Sequence, residues 1–335
     1  MVYVYKKTIQ GRPYYYLRLS QRINGKIIVK DLAYLGSDLA QIGPKLEKLP
    51  LLYKKEIKKA QYNIKKFVQS EHYLKKAGHD KLKESPYLDR DLLKQIEALK
   101  LHFNERFLRI DRQTIEETYK NFLIEFAFNT TSIEGNTITL AETERLLREN
   151  LTPKNRTVRE IHDLQNTEKT FFYMLNKKHK IDPAFIISLH DQLMENIDQR
   201  KGYRTHDVRV LHSRFTTSPV NYIQIDMRIL LDWYEKNKER FHPFVTAGLF
   251  HQKFEKIHPF ADGNGRTGRM LMNYMLLQKK YPPLIVRKSK RATYLDTLAD
   301  GDKLDLTDAQ PQRFKRFITY LAEELNEGYW NHFLI

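Results

Sequence analysis

Seven segments between Tyr119 and Leu325 repeat apolar residues three and four positions apart, and that spacing commits most of the chain to helix. They are Tyr119–Phe128, Glu160–Leu175, Pro183–Met194, Ile225–Tyr234, Pro243–Phe254, Thr267–Leu277 and Arg313–Leu325. Pro153, Pro183, Pro243 and the pair Pro282-Pro283 punctuate them, because proline starts helices readily and cannot continue them. Leu46–Lys76 and Leu92–Tyr119 also read as helical. Tyr203–Ile223 departs from the pattern: Val208, Val210 and Phe215 alternate, which predicts a hairpin between two helices. The first residues differ too. Val2–Ile9 and Tyr14–Leu19 are rich in aromatic and β-branched residues around a Gly11-Arg12-Pro13 turn, and Asn24-Gly25 is a strong hairpin signal. The expected architecture is mainly α, with a small antiparallel β unit at 1–40, a basic helical segment at 41–110 and a helical domain at 111–335.

Charge separates these parts. The formal net charge is +17, and residues 1–110 hold 24 basic and 11 acidic side chains, 24 − 11 = +13. The remainder holds 34 basic and 30 acidic residues, only +4. A basic N-terminal third suits a polyanion such as nucleic acid, and equally suits a solvated lysine-rich surface. With no cysteine, thiolate nucleophiles, thiolate metal sites and disulfides are excluded. No apolar run reaches the roughly 18 residues a membrane helix needs, and Met1–Lys7 lacks a secretory apolar run. The expectation is a cytoplasmic protein with no membrane partner.

The segment from His258 to Arg269, His-Pro-Phe-Ala-Asp-Gly-Asn-Gly-Arg-Thr-Gly-Arg, carries the chemistry. Its glycines allow positive φ and close approach of a ligand to the backbone. The apolar run that follows, from Met270 to Leu277, predicts a helix whose first N–H groups and dipole favour phosphate. Arg266 and Arg269 sit three apart on its first turns, and guanidinium groups grip phosphate oxygens two at a time. Asp262 supplies a hard oxygen of the kind Mg²⁺ prefers, and His258 is the nearby group suited to act as a base at neutral pH. Together these residue types point to phosphoryl or nucleotidyl transfer.

This segment resembles the signature of the Fic family, His-x-Phe-x-Asp/Glu-Gly-Asn-Gly-Arg-x-x-Arg, at every defined position. His242-Pro243, His251, Phe254 and Tyr281-Pro282-Pro283 resemble its flanking helices, and Gly202-x-Arg204 the entry to its target-positioning flap. The resemblance implies a Fic-type helical core with a β-hairpin flap over about residues 115–330. It implies transfer of AMP from Mg-ATP to a Ser, Thr or Tyr hydroxyl of a target protein, with His258 as base and Asp262 holding Mg²⁺. Gly263, Asn264 and Gly265 would form the anion hole, Arg266 and Arg269 would hold the outer phosphates, and Tyr294 would lie near the adenine. Phe260 would anchor the loop, and Thr216, Thr217 and Ser218 would pair with an extended target segment.

Thr130-Thr131-Ser132-Ile133-Glu134-Gly135 resembles the family's inhibitory motif, Ser/Thr-x-x-x-Glu-Gly/Asn, within a helix expected at about 118–136. By that resemblance Glu134 pairs with Arg269 in the space the γ-phosphate needs, and Thr130 and Gly135 complete the motif. A plainer reading makes it an ordinary helix C-terminus closed by Gly135. The resemblance also allows the reverse reaction, AMP removal with Glu134 positioning water, and homodimerisation. Relatives acting as kinases carry lysine where Gly265 stands, so glycine favours AMP transfer. The alternatives are another nucleotide or phosphate-group donor, and a nucleic-acid-binding regulator whose basic module is its main business.

Overall fold

The computed structural model describes residues 1–79, 82–176, 178–208 and 217–334. The chain opens with three antiparallel strands, β1 (Val2–Ile9), β2 (Arg12–Ile23) and β3 (Lys26–Gly36), ordered β1-β2-β3. The turns fall at Gln10-Gly11 and Asn24-Gly25, where all four residues have positive φ, as the hairpin signal requires. Helices α1 (Ile42–Glu47), α2 (Leu51–Lys59) and α3 (Gln61–Ala77) follow. Val4, Leu17, Leu35, Ile42 and Ile64 are buried together in a small core of their own.

The rest is helical: α4 (Arg90–Glu105), α5 (Arg112–Ile133), α6 (Leu140–Glu149), α7 (Val158–Asn176), α8 (Pro183–Leu193), α9 (Ile223–Asn237), α10 (Pro243–Ile257), α11 (Asn264–Gln278), α12 (Arg291–Ala299) and α13 (Pro311–Phe333). Aspartates start several of them. Asp89, Asp111 and Asp182 each accept the backbone N–H three residues on, at 2.8–2.9 Å, satisfying one orphan donor at each helix start. The cap at Asp111 explains one departure from expectation. Leu92–Tyr119 is two helices, because the chain turns through Phe107, fully buried, before Asp111 begins α5. Two helices were not anticipated, α6 and α12. The first carried a legible start signal, the reciprocal capping box between Thr139 and Glu142.

Helices α10 and α11 form the centre of the molecule, with thirteen of fifteen residues buried in each. Two of their packing contacts need glycine. A Cβ on Gly268 would lie 2.5 Å from Glu255 Oε1 and 2.8 Å from His251 Nδ1. We therefore expect Gly268→Ala to lower unfolding free energy by about 1–3 kcal/mol, the usual cost of overpacking, as read by urea denaturation. Among the described residues, no helix is long and apolar enough to cross a membrane.

Candidate active site

The site is a loop held shut at both ends. α10 stops because His258 turns left-handed, φ 54° and ψ 60°, and Pro259 cannot extend the helix. Phe260 then drops into the core, fully buried, and stacks on His190 with ring centroids 3.7 Å apart. The Asn264 side chain closes the loop. Its Oδ1 accepts from Phe260 N at 2.9 Å, and its Nδ2 donates to Phe260 O at 2.8 Å. Gly263, at φ 75°, then lets α11 begin, with unpaired N–H groups of its first turn at the mouth of the loop. The side-chain amide of Asn264 is thus spent on loop closure and the Gly263 N–H donates to Asp262, which leaves the backbone N–H groups of Asn264 and Gly265 for an anion.

His258 Nδ1 lies 3.3 Å from Glu255 O. A carbonyl only accepts, so Nδ1 carries the proton in the neutral ring and Nε2 keeps its lone pair. Burial holds the imidazole below its ordinary pKa of 6.5, against the raising effects of the Glu255 carbonyl bond and the Glu134 charge. Beneath it, burial pushes the Glu255 carboxyl up to about 8, although Arg269 pulls the other way. Burial thus favours the neutral acid of Glu255, whose Oε2 lies 3.9 Å from His258 Nδ1.

Arg269 is sealed inside, its side chain 2% exposed. Its Nε donates to Thr130 Oγ1 at 2.8 Å, and its Nη2 donates to Thr130 O at 2.9 Å and to Glu134 Oε1 at 2.8 Å. Thr130 and Glu134 thus take one guanidinium between them. Glu134 caps α5, and Gly135 at φ 107° ends that helix, so the plain helix-end reading and the ion pair hold together. Burial alone would raise the Glu134 carboxyl. Arg269, then Arg266 and His258, hold it below its ordinary range. One carboxylate therefore sits in the field of the three groups that the signature contributes. A Cβ on Gly265 would fall within 3.0 Å of both Glu134 and Arg269, so glycine there is what admits an anion to this cradle.

Arg266 turns the other way, to a buried ion pair with Asp163 on α7, and its Nη2 is 3.7 Å from Asp262 Oδ1. Asp262 Oδ1 accepts from Gly263 N at 2.6 Å, while Oδ2 is paired with Arg159, also on α7. Burial favours the neutral acid, but Arg266 and Arg159 keep Asp262 below its ordinary pKa and ionised. Neither Arg159 nor Asp163 was singled out from the sequence. Their only trace is a spacing of four on a helix, which marks a shared face and nothing more.

Arg204 rivets the loop from outside. Its Nε donates to His258 O at 2.9 Å, its Nη1 to His206 O at 2.8 Å, its Nη2 to Ser218 O, and its backbone N–H to Pro259 O at 2.9 Å. Thr217 is buried and donates to Val208 O at 3.1 Å. Thr217 and Ser218 thus stand at the root of the expected hairpin, turned into this clamp. Thr216 and the rest of that hairpin, 209–216, lie outside the described residues. Tyr294 is 1% exposed, with its ring 5.9 Å from the Arg269 guanidinium and its hydroxyl 2.7 Å from His251 Nε2. It packs behind Arg269 and shows almost no surface.

In this helical body Arg269 binds the Glu134 carboxylate beside a glycine-lined helix start, with His258 and Arg266 in its field, and residues 180–276 match the Fic/DOC family. The chain is 28% identical over 243 residues to protein adenylyltransferase fic-1 of Caenorhabditis elegans, a match covering 70% of this chain and 46% of that protein. It is 27% identical over 242 residues to protein adenylyltransferase Fic of Aedes aegypti, covering 67% and 48%. The chain spans about half the length of the curated relatives it matches. Among solved structures, a Fic domain containing signaling protein from Bacteroides thetaiotaomicron shares the fold, with TM-score 0.63, 24% identity, 70% of this chain and 94% of that one. Fic-1 of C. elegans, residues 134–508, does so with TM-score 0.60, 22% identity, 88% and 85%.

Proposed function

We propose that this chain transfers AMP from ATP to a hydroxyl side chain of a target protein, and that Glu134 holds it inactive. The observation that carries the reading is the Glu134 carboxylate: an anion lies against Gly265 and Arg269, within the field of Arg266 and His258. A site that gathers these groups around one carboxylate suits a phosphate chain in its place. The relatives that match most of this chain's length are named protein adenylyltransferases.

In this reading His258 Nε2 takes the proton of a Ser, Thr or Tyr hydroxyl. The oxygen bonds to the α-phosphorus of ATP, the bond from that phosphorus to the bridging oxygen breaks, and pyrophosphate leaves with both electrons. The N–H groups at the start of α11 and the Arg266 and Arg269 guanidiniums would steady the phosphates. Arg269 is available only once Glu134 moves away. Arg204 keeps the carbonyl ends of His258 and Pro259 in place while this happens. Among the described residues no cluster of three or more His, Asp or Glu forms a metal cage. Asp262 fits Mg²⁺ all the same, since that ion is commonly held by one or two carboxylates plus phosphate oxygens, and its side chain is 36% exposed beside the cradle. Mg²⁺ bound there would neutralise phosphate charge, and Asp262 would first have to release Arg159.

The position of a radiolabel tests the reading. Protein incubated with ATP labelled at the α-phosphorus should become labelled, and protein given γ-labelled ATP should not. Label from the γ position would make the enzyme a kinase and overturn AMP transfer.

A further inference from the structure

The geometry points to a second function for this chain: the free end of its N-terminal sheet is an arm that enters a groove of duplex DNA. The inference stands on different residues from those of AMP transfer and does not depend on it.

β1 accompanies β2 only as far as the pair Val2↔Leu19. Met1 adds one more pair, its N donating to Ser20 O and its O accepting from Ser20 N, and beyond it β2 and β3 continue alone through Gln21↔Ile28, Arg22↔Ile27 and Ile23↔Lys26. Three paired positions at ~3.4 Å each make a ribbon about 10 Å long. No helix covers it on either face, and every residue from Gln21 to Asp31 is exposed. Opposed residues share a face. One face therefore shows Gln21, Ile23, Lys26 and Ile28, and the other shows Ser20, Arg22, Ile27 and Val29. Ile23, Ile27, Ile28 and Val29 are 47–73% exposed, a density of bare aliphatic surface that an isolated ribbon has no reason to carry.

The charge selects the partner. Residues 1–77 hold 17 basic and 5 acidic side chains, 17 − 5 = +12 of the total +17. Among the charged residues from Arg18 to Asp31, only Arg18 and Asp31 form an ion pair among the described residues. Arg22 turns toward the Gly25 carbonyl, and Lys26 and Lys30 project with no carboxylate partner among the described residues. A second copy pairing along β3 would set these lysines close to their own symmetry mates, which opposes association. A polyanion meets no such opposition. The major groove of B-DNA, about 12 Å wide, admits a two-stranded ribbon. With the first face on the bases, Gln21 would meet base edges and Ile28 a thymine methyl, while Lys26, Lys30 and, from the far face, Arg22 would reach flanking phosphates.

The test is fluorescence anisotropy of the full chain with a labelled duplex of about two helical turns, in salt from about 50 to 200 mM. Binding should weaken steeply with salt. The triple variant R22A/K26A/K30A should bind at least ~10-fold more weakly, with a log–log salt slope smaller by about 2–3, close to 0.9 for each lost phosphate contact. All three side chains are exposed, so its thermal melting should match the parent; K26A alone, which should lower the slope by about 1, serves if it does not. Ile27→Ala with Ile28→Ala should weaken binding and leave the slope unchanged. No binding at the lowest salt would overturn the proposal, and so would equal affinity of parent and triple variant. Polyglutamate displacing the duplex as well as unlabelled DNA does, charge for charge, would also overturn it, and would assign the arm to an acidic protein.

Discussion

Glu134→Gly protein should label itself with AMP about 10- to 100-fold faster than the parent chain. The Arg269 guanidinium is buried and has three hydrogen bonds, two to Thr130 and one to Glu134. Removing the carboxylate leaves the two Thr130 bonds in place, so Arg269 stays positioned while one of its Nη groups becomes available to phosphate. The pair itself is not a large store of stability, because the Glu134 side chain is 39% exposed and solvent screens it. Its effect is competitive: ligand and carboxylate want one space, and coupling of this kind is worth about 1–3 kcal/mol, or 5- to 150-fold. Glu134→Gln separates charge from bulk. It should activate less than glycine if volume matters, and as much if charge alone does. The initial rate of labelling with α-labelled ATP is the measurement, and a glycine variant no faster than the parent would remove Glu134 from regulation. The carboxyl lies below its ordinary pKa, so the contribution of the pair is present above that ordinary value and fades as pH falls through the lower folded one. The brake should hold at neutral pH.

His258→Ala in the Glu134→Gly background should lose at least 100-fold of the transfer rate, and up to about 10⁴-fold, the usual range for removing a general base. The imidazole is the side chain at the loop whose Nε2 lone pair is free, since Nδ1 is committed to Glu255 O. Position 258 is left-handed, a strain that the histidine already bears, so His258→Ala should change thermal melting little. His258→Asn serves as a second variant, because asparagine tolerates this conformation. Both variants should still bind nucleotide. A rate within about threefold of the background in either would dismiss His258 as the base. In the background enzyme, rate should rise with pH through a limb below 6.5, because burial lowers this imidazole and removing the Glu134 charge lowers it further.

The periodic helices, both N-terminal hairpins and the glycine-lined loop were legible because each is a local pattern: spacing, a turn dipeptide, a helix start. The contact between Glu134 and Arg269 spans 135 residues and was legible only through two motifs read together. What escaped was information that exists only in three dimensions. Arg159 and Asp163 read as a solvated helix face, yet they hold Asp262 and Arg266. Glu255 reads as a polar position on an amphipathic helix, yet it is buried against His258, and burial raises its carboxyl to about 8. Arg204 was noted for its neighbourhood, and nothing local reveals that its guanidinium binds three carbonyls from separate parts of the chain. Tyr294, expected near the adenine, packs behind the Arg269 guanidinium, a contact that no local pattern reveals.

Chain order gives the Glu134 contact a consequence in time. α5 lies ahead of α11, so a ribosome working at about 5–20 residues per second adds Glu134 about 7–27 s before it reaches Arg269. Every newly made copy would then acquire its catalytic loop with the restraining helix already present. In the proposed reading, a restraint encoded downstream would leave each nascent molecule a brief interval of unsupervised reaction with its surroundings, and this order would leave none.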